Sequence, residues 1–260
     1  MFPFSARASE AARMIDQAAH FVETAKPDSA AVILYELVDF LEDPEERVKA
    51  FYYLAMTMRQ LGRLHEEMQY LTSAMEISPD AEYADNVRYS YTRILLETNN
   101  HDDCIAIARD FRERYTTSPL MPEMLYLAGE AYLQQGEYLR SFNSFNEITK
   151  QYPESIAAAE SVMKEGVCLY FLNYNSGAIE RFERYLMEIP HGENTDEALY
   201  LLGLSYERSQ QPEYAVEVFK RLTMEYPSFK NVMETYFRLS KDYFEINRFV
   251  ESENSLINLS

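Results

Sequence analysis

Few residues of this chain could carry out chemistry, and they are scattered. The segment His101-Asp102-Asp103-Cys104 sets a potential metal ligand or nucleophile beside two carboxylates. It falls in a predicted turn and the first residues of a helix, where acidic residues act as caps. The other histidines, His20, His65 and His191, lack a second histidine four positions away, as a helical zinc site requires. We therefore predict no catalytic residue, no metal site and no cofactor.

The overall charge restricts the class of partner. The chain holds 24 Lys and Arg against 43 Asp and Glu, a formal net charge of -19. Such a field repels phosphate backbones and anionic lipid, so we predict no nucleic-acid binding, and it favours a protein or peptide partner of basic character. No apolar run approaches the ~18 residues of a membrane span, so we predict no direct membrane insertion.

A fixed period of 37 residues is the main organising feature. Pro153, Pro190 and Pro227 are 37 positions apart, and Pro79 precedes Pro153 by twice that distance, with Thr116 between them. Small residues recur 24 positions before each proline, at Ala55, Gly129, Gly166 and Gly203. A period of this size is typical of a solenoid, whose units bury their apolar faces only by stacking on neighbours.

Each period contains two helices. Apolar residues recur at helical spacing from Pro122 to Gln135, Gly136-Glu137 breaks the helix, and a second helical pattern runs to Tyr152-Pro153. The small residues are expected to let the two helices approach closely, while Phe145, Phe182 and Phe219 fill space against the next unit. The sequence predicts an all-α, right-handed superhelical α-solenoid in a single domain, 1–260. Its units span about 11–42, 48–79, 85–116, 122–153, 159–190, 196–227 and 233–260.

Cys104 and Cys168 both occupy slots where the repeat expects a small buried residue. By register they lie two units apart, too far for a disulfide. We interpret both as inert core thiols.

The repeat resembles the tetratricopeptide repeat family. The clearest copy reads Leu199, Leu202, Gly203, Tyr206, Ala215, Phe219, Leu222 and Pro227. Segments with closing Tyr-Pro and a 37-residue period resemble bacterial cell-envelope tetratricopeptide proteins, in the style of the barrel-assembly outer-membrane lipoprotein and the Tol-Pal-associated periplasmic coordinator. The resemblance favours a periplasmic or envelope location over the alternative, the cytoplasm, which the lack of a signal-peptide pattern in residues 1–7 would also fit. Glu67 departs from the family pattern where an alanine is usual, and we expect that helix pair to be splayed or shifted.

The resemblance also suggests where a partner binds. In this family the fifth position of each first helix faces the concave groove. Here that position holds mostly tyrosine, a residue suited to peptide recognition. A second apolar cluster extends along the middle helices. The predicted groove therefore comprises Tyr52, Tyr89, Tyr126, Leu133, Met163, Val167, Tyr170, Phe171, Tyr200, Leu204 and Phe237. The alternative is that the rings only pack between neighbouring helices.

Charged residues border this groove. Glu123, Glu160, Glu197 and Glu234 recur at the starts of four successive first helices, either as favourable charges at the helix dipole or as an acidic rim for basic partners. Arg59, Arg93, Arg208 and Lys241 interrupt the acidic groove, as ordinary ion-pair partners or as sites for a partner carboxylate.

These patterns predict a non-catalytic protein–protein interaction adaptor or scaffold that holds a partner segment in its groove, and the resemblance implies a bacterial cell-envelope complex as its setting. The alternative is a structural building block of a larger envelope or motility assembly, using the ends and convex face. The chain stops as its last predicted helix ends, with apolar Phe249, Leu256 and Leu259 near that end. We expect either self-association or continuation of the array beyond residue 260.

Overall fold

The protein is all-α in the part of the chain that its computed structural model describes, residues 4–257. No strand occurs in this range, which confirms the predicted fold class. The fourteen helices of these residues are α1 (Phe4–Glu23), α2 (Pro27–Val38), α3 (Pro44–Gln60), α4 (Leu64–Ile77), α5 (Ala84–Glu97), α6 (His101–Arg114), α7 (Met121–Gln134), α8 (Tyr138–Gln151), α9 (Ile156–Phe171), α10 (Asn175–Glu188), α11 (Thr195–Arg208), α12 (Pro212–Glu225), α13 (Val232–Glu245) and α14 (Phe249–Ile257).

The helices pack in chain order. From α1 to α6 and from α8 to α14, each helix contacts its neighbours in the chain, as α9 does with α8 and α10, and some first helices also touch across a hairpin, as α9 and α11 do. The contacts divide the chain into two compact units, Met1–Leu127 and Ala128–Ser260. One continuous array over 1–260 stays a prediction, and Leu259 lies outside the described residues.

The turn inside each hairpin repeats the 37-residue period in the backbone itself. One residue per turn has a positive φ, between 52° and 75°, at Ala25, Gly62, Asn99, Gly136, Asn173, Gln210 and Asn247. The next residue donates its backbone N–H to a carbonyl five positions earlier, as Gln211 does to Tyr206 at 3.0 Å. This bond closes the end of the first helix in a Schellman motif. The turn geometry is therefore the same whether the residue is glycine or not.

Glycine and phenylalanine are paired inside three hairpins. A Cβ on Gly129 would lie 2.7 Å from the ring of Phe145, and one on Gly166 would lie 2.8 Å from the ring of Phe182. Gly203 and Phe219 are paired in the same way. Each ring therefore lies on the glycine of its own hairpin, in addition to any contact with the following one. The close approach predicted for these small residues is present.

The buried carboxylate of Glu67 has two arginine partners. Glu67, 1% exposed, contacts Arg59 at 3.3 Å and Arg93 at 3.6 Å. Desolvation raises the pKa of this carboxyl, and the Arg59 guanidinium opposes the shift. The two arginines are the means by which the helix pair tolerates a carboxylate in the alanine slot.

Both cysteines are buried free thiols. Burial raises the pKa of Cys104 to about 12 and that of Cys168 to about 11. Neither thiol is activated as a nucleophile, because the thiolate is the reactive form.

Candidate partner-binding face

In the first unit, the predicted groove tyrosines are half-buried. The ring of Tyr52 lies 5.3 Å from that of Tyr53 and 5.4 Å from that of Tyr83, measured between centroids. Desolvation by burial raises the pKa of Tyr52. Tyr89 has the guanidinium of Arg93 at 5.9 Å from its ring centre. Tyr126 is also half-buried. These rings are in part packing elements and in part accessible.

In the second unit, most of the predicted groove residues are buried. Fewer than one-tenth of the surface is exposed at Met163, Val167, Tyr170, Tyr200 and Leu204, which belong to one apolar core. Leu133 is half-buried and packs against the same core. The Tyr200 ring lies 5.3 Å from that of Phe229, in the segment before α13. Packing between helices accounts for the burial of these five side chains, and their role in binding stays a prediction.

Phe171 and its neighbours form an accessible cluster at the end of α9. Phe171 is 47% exposed. Its ring stacks on Tyr138 at 4.8 Å with an interplanar angle of 9°, and meets Tyr170 edge-on at 5.4 Å. The guanidinium of Arg208, on α11, lies 3.8 Å from the centre of the Tyr170 ring. We call Tyr138, Tyr170, Phe171 and Arg208 the aromatic–arginine cluster.

Arg208 is held in place without an ion pair. Its Nη1 donates to the backbone carbonyl of Tyr170 at 3.0 Å and to Oδ1 of Asn173 at 3.5 Å. No carboxylate of the described residues lies within 4 Å of its guanidinium, and the side chain is exposed. A guanidinium fixed on an aromatic face, with no carboxylate partner, can donate hydrogen bonds to an anionic or carbonyl oxygen of another molecule.

The other bordering cations are occupied. Arg59 binds Glu97 at 2.6 Å, and Arg93 lies 3.8 Å from the same carboxylate. Lys241 lies 3.5 Å from Glu245. For these three, the interpretation as ordinary ion-pair partners describes what the structure contains.

Charged side chains of α11 and α13 contact one another. Arg238 donates from Nη1 to Glu207 at 2.6 Å and from Nη2 to Glu234 at 2.7 Å. Asp242 lies beside Glu207 and is 1% exposed. Burial, followed by the negative charge of Glu207, raises the pKa of Asp242 to about 7. This carboxyl therefore changes charge near neutral pH.

The glutamates at the helix starts have individual roles. Glu160 accepts from the Tyr185 hydroxyl at 3.0 Å and from Nδ2 of Asn194 at 2.8 Å, so it braces two successive hairpins. Hydrogen bonds from Arg238 lower the pKa of Glu234. Glu197 has Lys230 at 3.9 Å. These contacts give Glu160 and Glu234 partners within the fold, and the helix-dipole and acidic-rim interpretations of the ladder both stay predictions.

The described residues contain no group of three or more His, Cys, Asp or Glu side chains placed to hold a metal ion. Among them there is also no helix with the length and apolar character that crossing a membrane requires.

Comparison with known proteins places these features in a fold family. The sequence profile of the family described as "YfiO: Outer membrane lipoprotein" matches residues 121–243, a little under half of the chain. No protein of curated function matches the sequence. A tetratricopeptide repeat protein from Parabacteroides merdae has a similar structure, with a TM-score of 0.64 at 14% identity, and the match covers 96% of this chain and 92% of that one. The chain has the tetratricopeptide-repeat fold.

Two further solved structures resemble this tetratricopeptide-repeat chain. The pilF protein of Pseudomonas aeruginosa matches with a TM-score of 0.71 at 14% identity, over 88% of this chain and 97% of that one. PilW, described as a widely conserved type IV pilus biogenesis factor, matches with a TM-score of 0.68 at 13% identity, over 86% and 97%. The predicted resemblance to tetratricopeptide proteins is confirmed.

Sequence reasoning did not identify Tyr138 as part of the site. Its ring belongs to the first turn of α8, whereas Phe171 ends α9, so no helical spacing relates them. The signal available in the sequence was an arginine and a phenylalanine at the same repeat position, since Arg208 follows Phe171 by 37 residues.

Proposed function

We propose that the protein is a non-catalytic adaptor that binds a segment of a protein partner at the aromatic–arginine cluster. The accessible, unpaired guanidinium of Arg208 on the Tyr170 ring is the observation that carries this proposal. The exposed Phe171 ring beside it supplies apolar contact area, and Arg and aromatic residues are enriched among the energetic centres of interfaces.

The buried residues of the predicted groove have a supporting role in this proposal. Tyr200, Leu204 and Met163 lie on α11 and α9 in the same buried core as Tyr170, so they fix the cluster on a rigid base. A preorganised surface loses little conformational entropy when a partner binds. The net charge of -19 favours encounter with a partner of basic overall character, while Arg208 binds an oxygen atom at close range.

We also propose that the adaptor works in a bacterial cell-envelope complex. The match of residues 121–243 to an outer membrane lipoprotein family supports this location, as does the structural similarity to PilW, a type IV pilus biogenesis factor. The alternative role, a building block that assembles through its ends, is favoured by one observation, the exposed apolar side chains on α13 and α14.

A displayed peptide library selected on the unchanged protein tests the binding site. We expect the selected peptides to bind the double variant Phe171→Ala/Arg208→Gln at least about tenfold more weakly by fluorescence anisotropy, because both anchors are removed. The matched control is Met187→Ala/Met224→Ala, which removes two exposed side chains from the second helices α10 and α12.

Helicity measured by circular dichroism must be equal in both variants. Peptides that bind the Phe171→Ala/Arg208→Gln variant as tightly as the unchanged protein, and lose affinity for the control variant, would show that the binding site lies on the second helices.

A further inference from the structure

The last described hairpin buries a carboxyl group at a position where earlier hairpins have neutral side chains. Asp242, on α13, is 1% exposed. In the five preceding hairpins the same repeat position holds fully buried, uncharged residues, namely Thr57, Ile94, Ala131, Cys168 and Ser205. A charged carboxylate is costly to bury without a cation or hydrogen-bond donors. The fold therefore favours a neutral side chain at this position.

The buried carboxyl of Asp242 lies against a second one, that of Glu207 on α11. Neither Oδ2 of Asp242 nor Oε1 of Glu207 has a hydrogen-bond partner among the described residues, and both atoms are buried. Other buried polar side chains of α13 do have partners, since Thr235 donates to a backbone carbonyl at 2.9 Å and Ser240 meets Ser252 at 3.0 Å. Two ionised carboxylates in contact repel each other, whereas one proton between them forms a hydrogen bond.

The surrounding charges place such a proton on Asp242. Arg238 donates to the other oxygen of Glu207, Oε2, at 2.6 Å. Among the described residues no cation lies within 4 Å of the Asp242 carboxyl, and Lys241 lies 3.9 Å from Oε1 of Glu207. Burial, followed by the charge of Glu207, raises the pKa of Asp242 to about 7, while Lys241 opposes the shift and Glu245 adds to it.

The helices on the other side of α13 also carry charges. Glu217 of α12 and Arg248 and Glu251 of α14 lie near Tyr243, the residue that follows Asp242. These three act less on Asp242 than the charges of α11 and α13 do. The contact between Asp242 and Glu207 therefore dominates the electrostatics of this carboxyl.

We propose that Asp242 and Glu207 share one proton, and that loss of this proton weakens the docking of the α13–α14 hairpin on the α11–α12 hairpin. In the docked state, neutral Asp242 donates its O–H to Oε1 of Glu207. When the proton leaves to solvent, two negative charges remain in contact inside the protein, and separation of the hairpins hydrates both. The inference does not depend on the proposed partner site, which lies on α8, α9 and α11.

The proton count fixes the sign and the shape of the pH dependence. In the separated hairpin Asp242 is in water and has its ordinary pKa of 3.8, whereas in the docked hairpin it holds its proton up to about pH 7. Between these two values separation releases one proton, so a rise in pH favours separation, and above about pH 7 the effect ends. We expect the population of the separated state to rise about eightfold from about pH 5.5 to 6.5, and less than about 1.5-fold from about pH 7.5 to 8.5.

Hydrogen exchange of the 260-residue chain, followed by mass spectrometry at these four pH values, measures the separation. Exchange rates of backbone amides in α13 and α14 are divided by the intrinsic rate at each pH, and the quotient should follow the expected curve. Asp242→Asn has the same size and no proton to lose, so its quotient should stay constant within about twofold. Glu253→Gln, at an exposed position of α14, is the control and should behave as the unchanged chain does.

Glu207→Gln separates a shared proton from the effect of burial alone. The glutamine side chain removes the like charge and offers an N–H donor to ionised Asp242, while Arg238 keeps its contact with Glu234 at 2.7 Å. We expect the pH at which the quotient levels off to fall by about one unit or more. If Asp242 were only desolvated, that pH would be unchanged.

Carbon NMR of the unchanged chain, with its aspartate carboxyl groups labelled, observes the proton directly and needs no variant to fold. We expect one aspartate signal with a midpoint near pH 7, and its absence from Asp242→Asn assigns it. The proposal would be overturned by aspartate signals that all titrate below about pH 5, or by the same pH dependence of exchange in Asp242→Asn. An equal change of exchange in α8 and α14, or an unchanged curve in Glu207→Gln, would overturn it as well, whatever the peptide experiments on Phe171 and Arg208 show.

Discussion

At the scale of single residues, Asp242 shows how burial couples this fold to pH. Burial and the neighbouring charge of Glu207 raise its pKa to about 7, while Lys241 opposes the shift and Glu245 adds to it. A carboxyl whose folded pKa exceeds its unfolded value binds its proton more tightly in the folded state. Its contribution to stability is therefore fully present below the unfolded pKa of 3.8 and is lost as pH rises through about 7.

Asp242→Asn is expected to remove this dependence. The variant should be more stable than the unchanged protein at about pH 8, and its advantage should grow by roughly 1–2 kcal/mol between about pH 5.5 and pH 8. Urea unfolding followed by circular dichroism at several pH values measures the difference. Glu253→Gln, at an exposed position of α14, removes one negative charge that is not among those acting on Asp242 and is the control. An advantage of Asp242→Asn that is constant with pH would contradict the assignment.

The same residue scale shows why the site could be predicted only in part. Phe171 was identified from its apolar helix face, and the structure leaves it accessible. Tyr200 and Met163 have the same periodicity but are covered by neighbouring helices. Helical spacing gives the direction of a side chain from its own helix axis, and it does not say whether another helix covers that direction.

At the scale of the hairpin, side-chain sizes are matched across two helices. Where the first helix has glycine, as at Gly166, the second has phenylalanine sixteen residues later, at Phe182. Where the first helix has alanine, at Ala55, the second has the smaller Leu71, and both are fully buried. The two side chains, sixteen residues apart in each hairpin, therefore fill a nearly constant combined volume.

Gly166→Ala is expected to lower the free energy of unfolding by about 1–3 kcal/mol, because the new Cβ would lie 2.8 Å from the Phe182 ring. Adding Phe182→Leu should recover part of that loss by reproducing the Ala55–Leu71 pairing. The two single variants and the double variant form a cycle, and denaturant unfolding should give a favourable coupling of about 1 kcal/mol or more. If the changes in unfolding free energy of the two single variants simply add in the double variant, the Phe182 ring moves away from the new Cβ without loss of stability.

The hairpin turns show which features of a hairpin can be predicted from residue type alone and which cannot. Gly62 and Gly136 were readable as turns because glycine adopts positive φ without strain. Gln210 takes the same conformation although glutamine is no turn signal, and only its place in the 37-residue period predicts it. The stacking of the hairpins determines the conformation of the turn. The residue type at the positive-φ position changes only the free energy needed to adopt that conformation.

At the scale of the whole molecule, contacts follow the order of the chain. The α9 helix packs on α8 and α10, and α10 packs on α11, so the stability of one hairpin depends on its immediate neighbours. In repeat proteins the total stability is approximately a sum of unit and nearest-neighbour contributions, and parts of the chain can open separately. A local defect should therefore have effects that decrease with distance along the chain.

Hydrogen exchange of Gly166→Ala, followed by mass spectrometry, measures that decrease. We expect faster exchange of backbone amides in α8 to α11, where the hairpin that contains the new methyl group meets its neighbours. Amides in α1 to α4 should exchange as in the unchanged protein, because those helices contact only the first hairpins and α5. Adding Phe182→Leu should restore protection in α8 to α11. Equal acceleration at all amides would instead show that the chain opens only as a whole, and the nearest-neighbour description would then be wrong.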